Sequence, residues 1–172
     1  MKIVVPPLDD NIIKSLKAGD EVVISGFIYG ARDAAHKRML AEYDSGKRLP
    51  LLLDGQIIYY VGPCPAPPGK AAGSAGPTTS GRMDAYTPRL LALGLRGMVG
   101  KGQRRQEVIE AMKTYGAVYF AAIGGAGAYL SKTIKSVETV AYEELGPEAL
   151  LKIEVSEFPC IVAIDAQGNS LF

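Results

Sequence analysis

Residues 62–77 read GPCPAPPGKAAGSAGP, with nine glycines and prolines in sixteen positions. No helix and no central strand survives that density. Proline lacks an amide donor, and glycine gives up the most conformational freedom on ordering. The tract therefore splits the regular structure of the chain into two stretches. Clear periodic segments flank it, and a polar motif follows it directly. It reads as an ordered, functional loop rather than a linker, since long loops inside compact domains usually carry function.

Before the tract, EVVISGFIYG (Glu21–Gly30) is a strand rich in β-branched and aromatic residues. Residues 31–46 form a helix, with Ala35, Met39, Leu40 and Tyr43 on one face and Gly46 at its C-terminal end. Residues 56–62, QIIYYVG, form a second strand. After the tract, TPRLLALG opens with Thr87 and Pro88, as a helix start should, and closes at Gly94. RGMVG is a short strand. Residues 103–116 form an amphipathic helix with Val108, Met112 and Tyr115 aligned, and AVYFAAI is a buried strand. Residues 125–136 are expected as a helix and 137–145 as a strand. Two further strands are expected at residues 152–155 and 160–165, and AQGN turns the last back into a hairpin. The alternation makes the fold α/β, and the hairpin-like end makes the sheet mixed.

With 172 residues the chain has the size of a single domain, 1–172, able to bury its own core. Hydrophobic residues make up 48% and charged residues 22%, which excludes disorder as the main state. The net charge of +1 argues against broad nucleic-acid binding. Cys64 and Cys160 are too few for a zinc site or an iron–sulfur cluster. They are expected as two reduced, buried thiols in the cytoplasm, with one bridge as the alternative. The start, MKIVVPPLDD, is broken too soon by Pro6-Pro7 for a signal peptide. The longest apolar run, residues 117–130, is too short for a spanning helix, so no membrane is expected.

The motif after the tract, GPTTSGRMD, puts Thr78, Thr79 and Ser80 before a helix start and follows them with Arg82. Free backbone N–H groups there favour an anion, and a guanidinium is the best bidentate partner for a carboxylate or phosphate. An ordinary helix cap with an exposed arginine is the competing reading. Arg32 follows the first strand, where open α/β sheets bind ligands. His36, four residues on, shares its helix face; a surface or capping histidine is the plainer reading. As the sole histidine it excludes a histidine-rich metal site. Lys101, in VGKGQRR, sits between a strand and a helix and matches no Walker motif. Gly125-Ala126-Gly127 matches only part of the dinucleotide fingerprint, so a phosphate- or nucleotide-binding module is a weaker alternative. Three cations after strands suit a dicarboxylate. No carboxylate pair, nucleophile elbow or metal site accompanies them, so the chain looks like half of an active site.

SGPTTSGRMDAYTPRLLALG, with YYVGPCPAPPG before it and GMVGKG after it, resembles the β subunit of class I fumarate hydratase. The same module forms the C-terminal domain of single-chain class I fumarases and the β subunit of L(+)-tartrate dehydratase. The resemblance covers nearly the whole chain. It implies a swivelling β/β/α domain with a mixed sheet, and a hydro-lyase that hydrates fumarate to malate, or acts on tartrate. It also implies a hetero-oligomer with an α subunit. That partner would carry a [4Fe–4S] cluster on three cysteines, leaving one iron open to substrate. By position, Thr78 matches the family's catalytic base, and Arg32, Arg82 and Lys101 match its carboxylate-binding residues. Thr79, Ser80 and Asp84 take support roles, and Cys64 is not taken as a cluster ligand.

Overall fold

The computed structural model describes residues 1–122 and 127–172. A seven-stranded mixed sheet organises it. Strand β1 (Lys2–Val4) and helix α1 (Asp10–Ser15) precede β2 (Glu21–Gly30). Helix α2 (Asp33–Asp44), β3 (Ile57–Tyr59), a 3₁₀ turn at Ser80–Met83 and α3 (Thr87–Ala92) follow. Then come β4 (Gly97–Gly100), α4 (Gln106–Tyr115), β5 (Val118–Ala121) and α5 (Gly127–Ser131). Strand β6 (Ile134–Ala141), a 3₁₀ segment at Glu143–Glu148 and β7 (Leu150–Ile164) complete the chain.

Strands β2, β3, β4 and β5 run parallel in that order, and β7 pairs antiparallel with both β5 and β2. These five strands therefore close into a ring. Closure needs one strand long enough to serve two neighbours on one edge. The 15-residue β7 pairs with β6 through Leu150–Val155 and with β5 through Ile161–Ile164. Between those stretches its register against β2 shifts at Ile24/Gly26. There Ser156 and Glu157 oppose the single residue Ser25, whose hydroxyl accepts the Glu157 N–H at 2.9 Å. Such a bulge bends a strand and strengthens its twist, which carries β7 from one partner to the next.

Alternation along the strands separates two cores. Ile57, Tyr59, Val99, Phe120, Ile153 and Val162 fill the ring, together with Ile24 and Ile28. Ile58, Tyr60, Met98 and Tyr119 face outward, where Met39, Leu90, Leu91, Val108 and Met112 of α2, α3 and α4 cover them. Strands β3 and β4 are buried on both faces, as central parallel strands are.

Several boundaries differ from the sequence expectations. The expected helix at 125–136 is described only as Gly127–Ser131, and β6 already begins at Ile134; residues 125 and 126 lie outside the described residues. The two expected C-terminal strands are one, because the bulge keeps the ladder going through the polar stretch between them. The expected strand at 137–145 ends at Ala141, where Tyr142 turns to φ 64° and a 3₁₀ segment follows. Strand β1 and helix α1 were not anticipated. Asp9 caps α1 by accepting the Ile12 N–H at 2.8 Å.

Candidate active site

The carboxyl ends of β2, β3, β4 and β5 form one edge of the ring, and the backbone ladder continues past them. Ala31 N–H donates to Tyr59 O at 3.0 Å, Tyr60 N–H to Val99 O at 2.9 Å and Ala122 N–H to Gly100 O at 2.9 Å. The Gly/Pro loop leaves this edge after β3 and returns to it. Thr78 N–H donates to Tyr60 O at 2.8 Å, and Ser80 N–H donates to Lys101 O at 2.9 Å. Thr79 and Lys101 make a parallel bridge. Residues 78–80 are thus held between the end of β3 and the residue that follows β4. That approach needs Gly100: a Cβ there would stand 2.0 Å from Ser80 Oγ and 2.8 Å from the Tyr60 ring.

The loop itself is laced together. Cys64 N–H donates to Ser74 O at 2.9 Å, and Gly73 N–H returns to Cys64 O at 3.1 Å. Ala75 N–H donates to Gly127 O at 3.1 Å, and the Tyr59 hydroxyl, inside the ring, donates to Ala75 O. Gly73 and Gly127 are packing glycines. A Cβ on either would meet Pro65 O at 2.5 Å or Ser74 Oγ at 2.3 Å. Gly127 thus serves loop packing, while Gly125 and Ala126 of the partial fingerprint lie outside the described residues.

Arg32 is the N-cap of α2, directly after β2, and its side chain runs over Gly62, where a Cβ would meet Arg32 Cδ at 3.0 Å. Its Nε is buried without a hydrogen bond and stands 4.0 Å from Glu148. Arg82 projects from the 3₁₀ turn and its Nε stands 3.9 Å from Asp33 Oδ2, one residue from Arg32. Thr78 is half-buried and Lys101 is exposed. The backbones of all four anticipated residues thus gather at one edge, and Arg82 reaches the α2 start that carries Arg32.

His36 is neither on the surface nor a free functional group. It is fully buried against the rings of Tyr60 and Tyr86. Its Nδ1–H donates to Arg32 O at 2.7 Å, leaving Nε2 without a partner. Burial pushes its pKa down to about 4 against the bond to Arg32. Both cysteines are free thiols, but Cys64 is exposed, where burial was expected. Cys160 is buried, which pushes its thiol well above the ordinary range. The donor set of this chain does not fit an iron–sulfur cluster. Such clusters use several cysteine thiolates, and of the two here one is buried within β7. Among the described residues no group of three His, Cys, Asp or Glu is placed to hold a metal ion.

Beneath the edge lies an ion pair that sequence reasoning missed. Arg104 Nε donates to Asp84 Oδ1 at 2.7 Å, with side chains 0% and 1% exposed. Arg104 Nη2 also donates to the Tyr60 hydroxyl at 3.1 Å and to Thr87 Oγ1 at 3.0 Å. The guanidinium lies over the rings of Tyr60 and Tyr119, at 5.2 and 4.9 Å. Burial alone would pull its pKa down, but Tyr60, Asp84 and Tyr119 outweigh that and leave it raised. In the sequence, Arg104 stands in a QRRQE run that reads as a solvated helix start.

The family model for the fumarase C-terminus matches residues 3–172. The chain belongs to the fumarase C-terminus family. Among curated relatives of this fumarase C-terminus chain, the aerobic class I fumarate hydratase of Escherichia coli K12 is 45% identical over 151 residues, 87% of this chain. Fumarate hydratase 2 of Leishmania major is 41% identical over 156 residues, 90% of this chain. The chain spans 28% of the length of each. The putative L(+)-tartrate dehydratase subunit beta of Methanocaldococcus jannaschii is 40% identical over 166 residues, covering 93% of this chain and 85% of that subunit. Among the described residues, no helix is long and apolar enough to cross a membrane.

Proposed function

We propose that this chain is the β subunit of an iron–sulfur hydro-lyase, a single swivelling β/β/α domain that completes its active site against a cluster-bearing α subunit. The reaction is the reversible hydration of fumarate to malate. The observation that carries this reading is the backbone ladder setting residues 78–80 between Tyr60 and Lys101, with Arg32 at the neighbouring strand end. The cluster belongs to the partner, since the cysteines of this chain do not fit it. Two unpaired thiols favour the cytoplasm.

In the malate-to-fumarate direction a proton leaves the carbon α to a carboxylate, and negative charge builds on that carboxylate. Arg32, Arg82 and Lys101 bind the two carboxylates and hold the growing charge more tightly than the resting one. Differential binding of that kind accelerates a reaction. Thr78, held as its alkoxide by the neighbouring cations, takes the proton and becomes a neutral hydroxyl, while the hydroxyl on the adjacent carbon leaves as hydroxide, which the partner's cluster would accept as a Lewis acid. A threonine hydroxyl is a poor base in water, so it acts in a site walled from solvent and surrounded by cations. The open edge of the ring acquires that wall from the α subunit.

Tartrate is the second substrate reading. It is favoured by the tartrate dehydratase subunit beta that this chain matches over most of both lengths. One experiment separates the readings: combine the chain with a cluster-bearing partner and assay fumarate and tartrate under anaerobic conditions. The chain alone should be inactive, and the complex should hydrate fumarate. Turnover of tartrate only would move the assignment to the second substrate, and activity of the chain alone would place the chemistry here.

A further inference from the structure

The buried Arg104–Asp84 pair is joined, directly or through Tyr60 and Tyr119, to the segments that present Thr78, Arg82 and Lys101. Asp84 is the C-terminal cap of the Ser80–Met83 turn that carries Arg82. Its second oxygen, Oδ2, accepts the Arg105 N–H at 2.9 Å, which fastens that turn to the start of α4. Through Nη2, Arg104 binds the hydroxyl of Tyr60, whose carbonyl receives Thr78 N–H. On its other side it lies over Tyr119. The Tyr119 hydroxyl donates to Gly102 O at 2.8 Å, next to Lys101, and lies 2.7 Å from Ser80 Oγ. Since Tyr119 spends its one hydrogen on Gly102, Ser80 is the donor to it. Thr87 Oγ1 accepts from Arg104 and donates to Met83 O at 2.8 Å, closing the turn from below.

A buried ion pair is a poor device for stability. Removing two charges from water costs about as much as their attraction returns, and apolar replacements are often neutral or better. What a pair with this many directional bonds supplies is geometry. We infer that Arg104 is the positioning residue of this site: paired with Asp84, it fixes the Thr78–Arg82 segment, the Tyr60 strand end and the Lys101 loop in one mutual arrangement. Lysine cannot replace it. An ammonium has no planar fork to bond Asp84, Tyr60 and Thr87 at once, nor a flat face to lie between two rings.

This inference rests on the proposed hydro-lyase role for what is being positioned, so its test has a readout independent of activity. Two variants are compared with wild type: Arg104→Lys, and the apolar double change Arg104→Met with Asp84→Leu. In the reconstituted complex both should lose kcat/KM roughly 100-fold, through a fall in kcat together with a rise in KM, because small misplacements of binding groups cost that much. The double variant should melt no lower than wild type, so its loss is not a loss of folded protein. Full kcat/KM in either folded variant would overturn the inference and leave the pair a packing feature. In parallel, ¹⁵N spectra of the full chain should show the Arg82 Nε resonance, and the Thr78 and Lys101 amide resonances, displaced by Arg104→Lys. Unmoved resonances would also overturn it. If the wild-type complex turns over neither diacid, the hydro-lyase reading falls, while the spectra still decide whether Arg104 holds the Thr78–Arg82 segment and the Lys101 loop.

Discussion

Thr78 and Arg82 stand four residues apart and should fail differently. Thr78→Val keeps the shape and deletes the hydroxyl. Its expected signature in the complex is a large fall in kcat with little change in KM, since the group matters mainly in the transition state. Arg82→Ala should raise KM and lower kcat together, because in its proposed role it holds the carboxylate in both states. Arg82→Lys should recover little. Steady-state kinetics check all three, and a Thr78→Val complex with near wild-type kcat would leave Thr78 only its backbone role against Tyr60. His36 makes a different prediction. The folded imidazole stays neutral down to about pH 4, whereas the unfolded one takes up its proton near 6.5. Between those values the unfolded state binds more protons, so stability is full above 6.5 and falls as the pH drops toward 4. The loss reaches about 2 kcal/mol by pH 5. Urea unfolding at neutral pH and at pH 5 measures it, and His36→Gln should show a shallower acid decline. The contact groups of GPTTSGRMD are contiguous, so the sequence displays them side by side. The Arg104–Asp84 pair is twenty residues apart in sequence, and only the folded ring shows that both charges are buried.

At the level of elements, the edge of the ring depends on how closely the motif can approach β4. Gly100→Ala would put a methyl 2.0 Å from Ser80 Oγ. It should cost about 1–3 kcal/mol as an overpacked contact. It should also lower activity in the complex, by displacing the 78–80 segment. Gly81→Ala, in the same turn with nothing within 4 Å, is the control and should leave urea midpoints almost unchanged. Strand β2 was legible to its last residue, because ten β-branched and aromatic-rich positions end at a glycine. The end of α4 was too, with Gly116 in the left-handed region. Strand β7 was not. Its polar residues at 156 and 157 look like an interruption, yet they form the bulge that keeps the strand whole. Strand β1 has three residues before a Pro-Pro pair, too few for a period to show.

For the molecule as a whole, the two strands that share the longest ladder are β2 and β7, whose paired residues lie well over a hundred positions apart in the chain. Strands β3, β4 and β5 lie between them in sequence, and until β7 arrives they form with β2 an open sheet whose outer edges have no partner. A ribosome delivers the chain from its N-terminus and covers the most recent residues, so the nascent domain must wait as that open sheet until β7 has emerged. Exposed parallel edges invite pairing with other chains. Chains stalled just after Val155 should accordingly be protease-sensitive and bind chaperones, whereas chains with Ile164 clear of the ribosome should become resistant in one step. A nascent chain resistant at the earlier point would show that the ring does not need its last strand to hold its shape. Emergence of β7, rather than of the parallel strands before it, thus becomes the moment at which this domain commits to its fold.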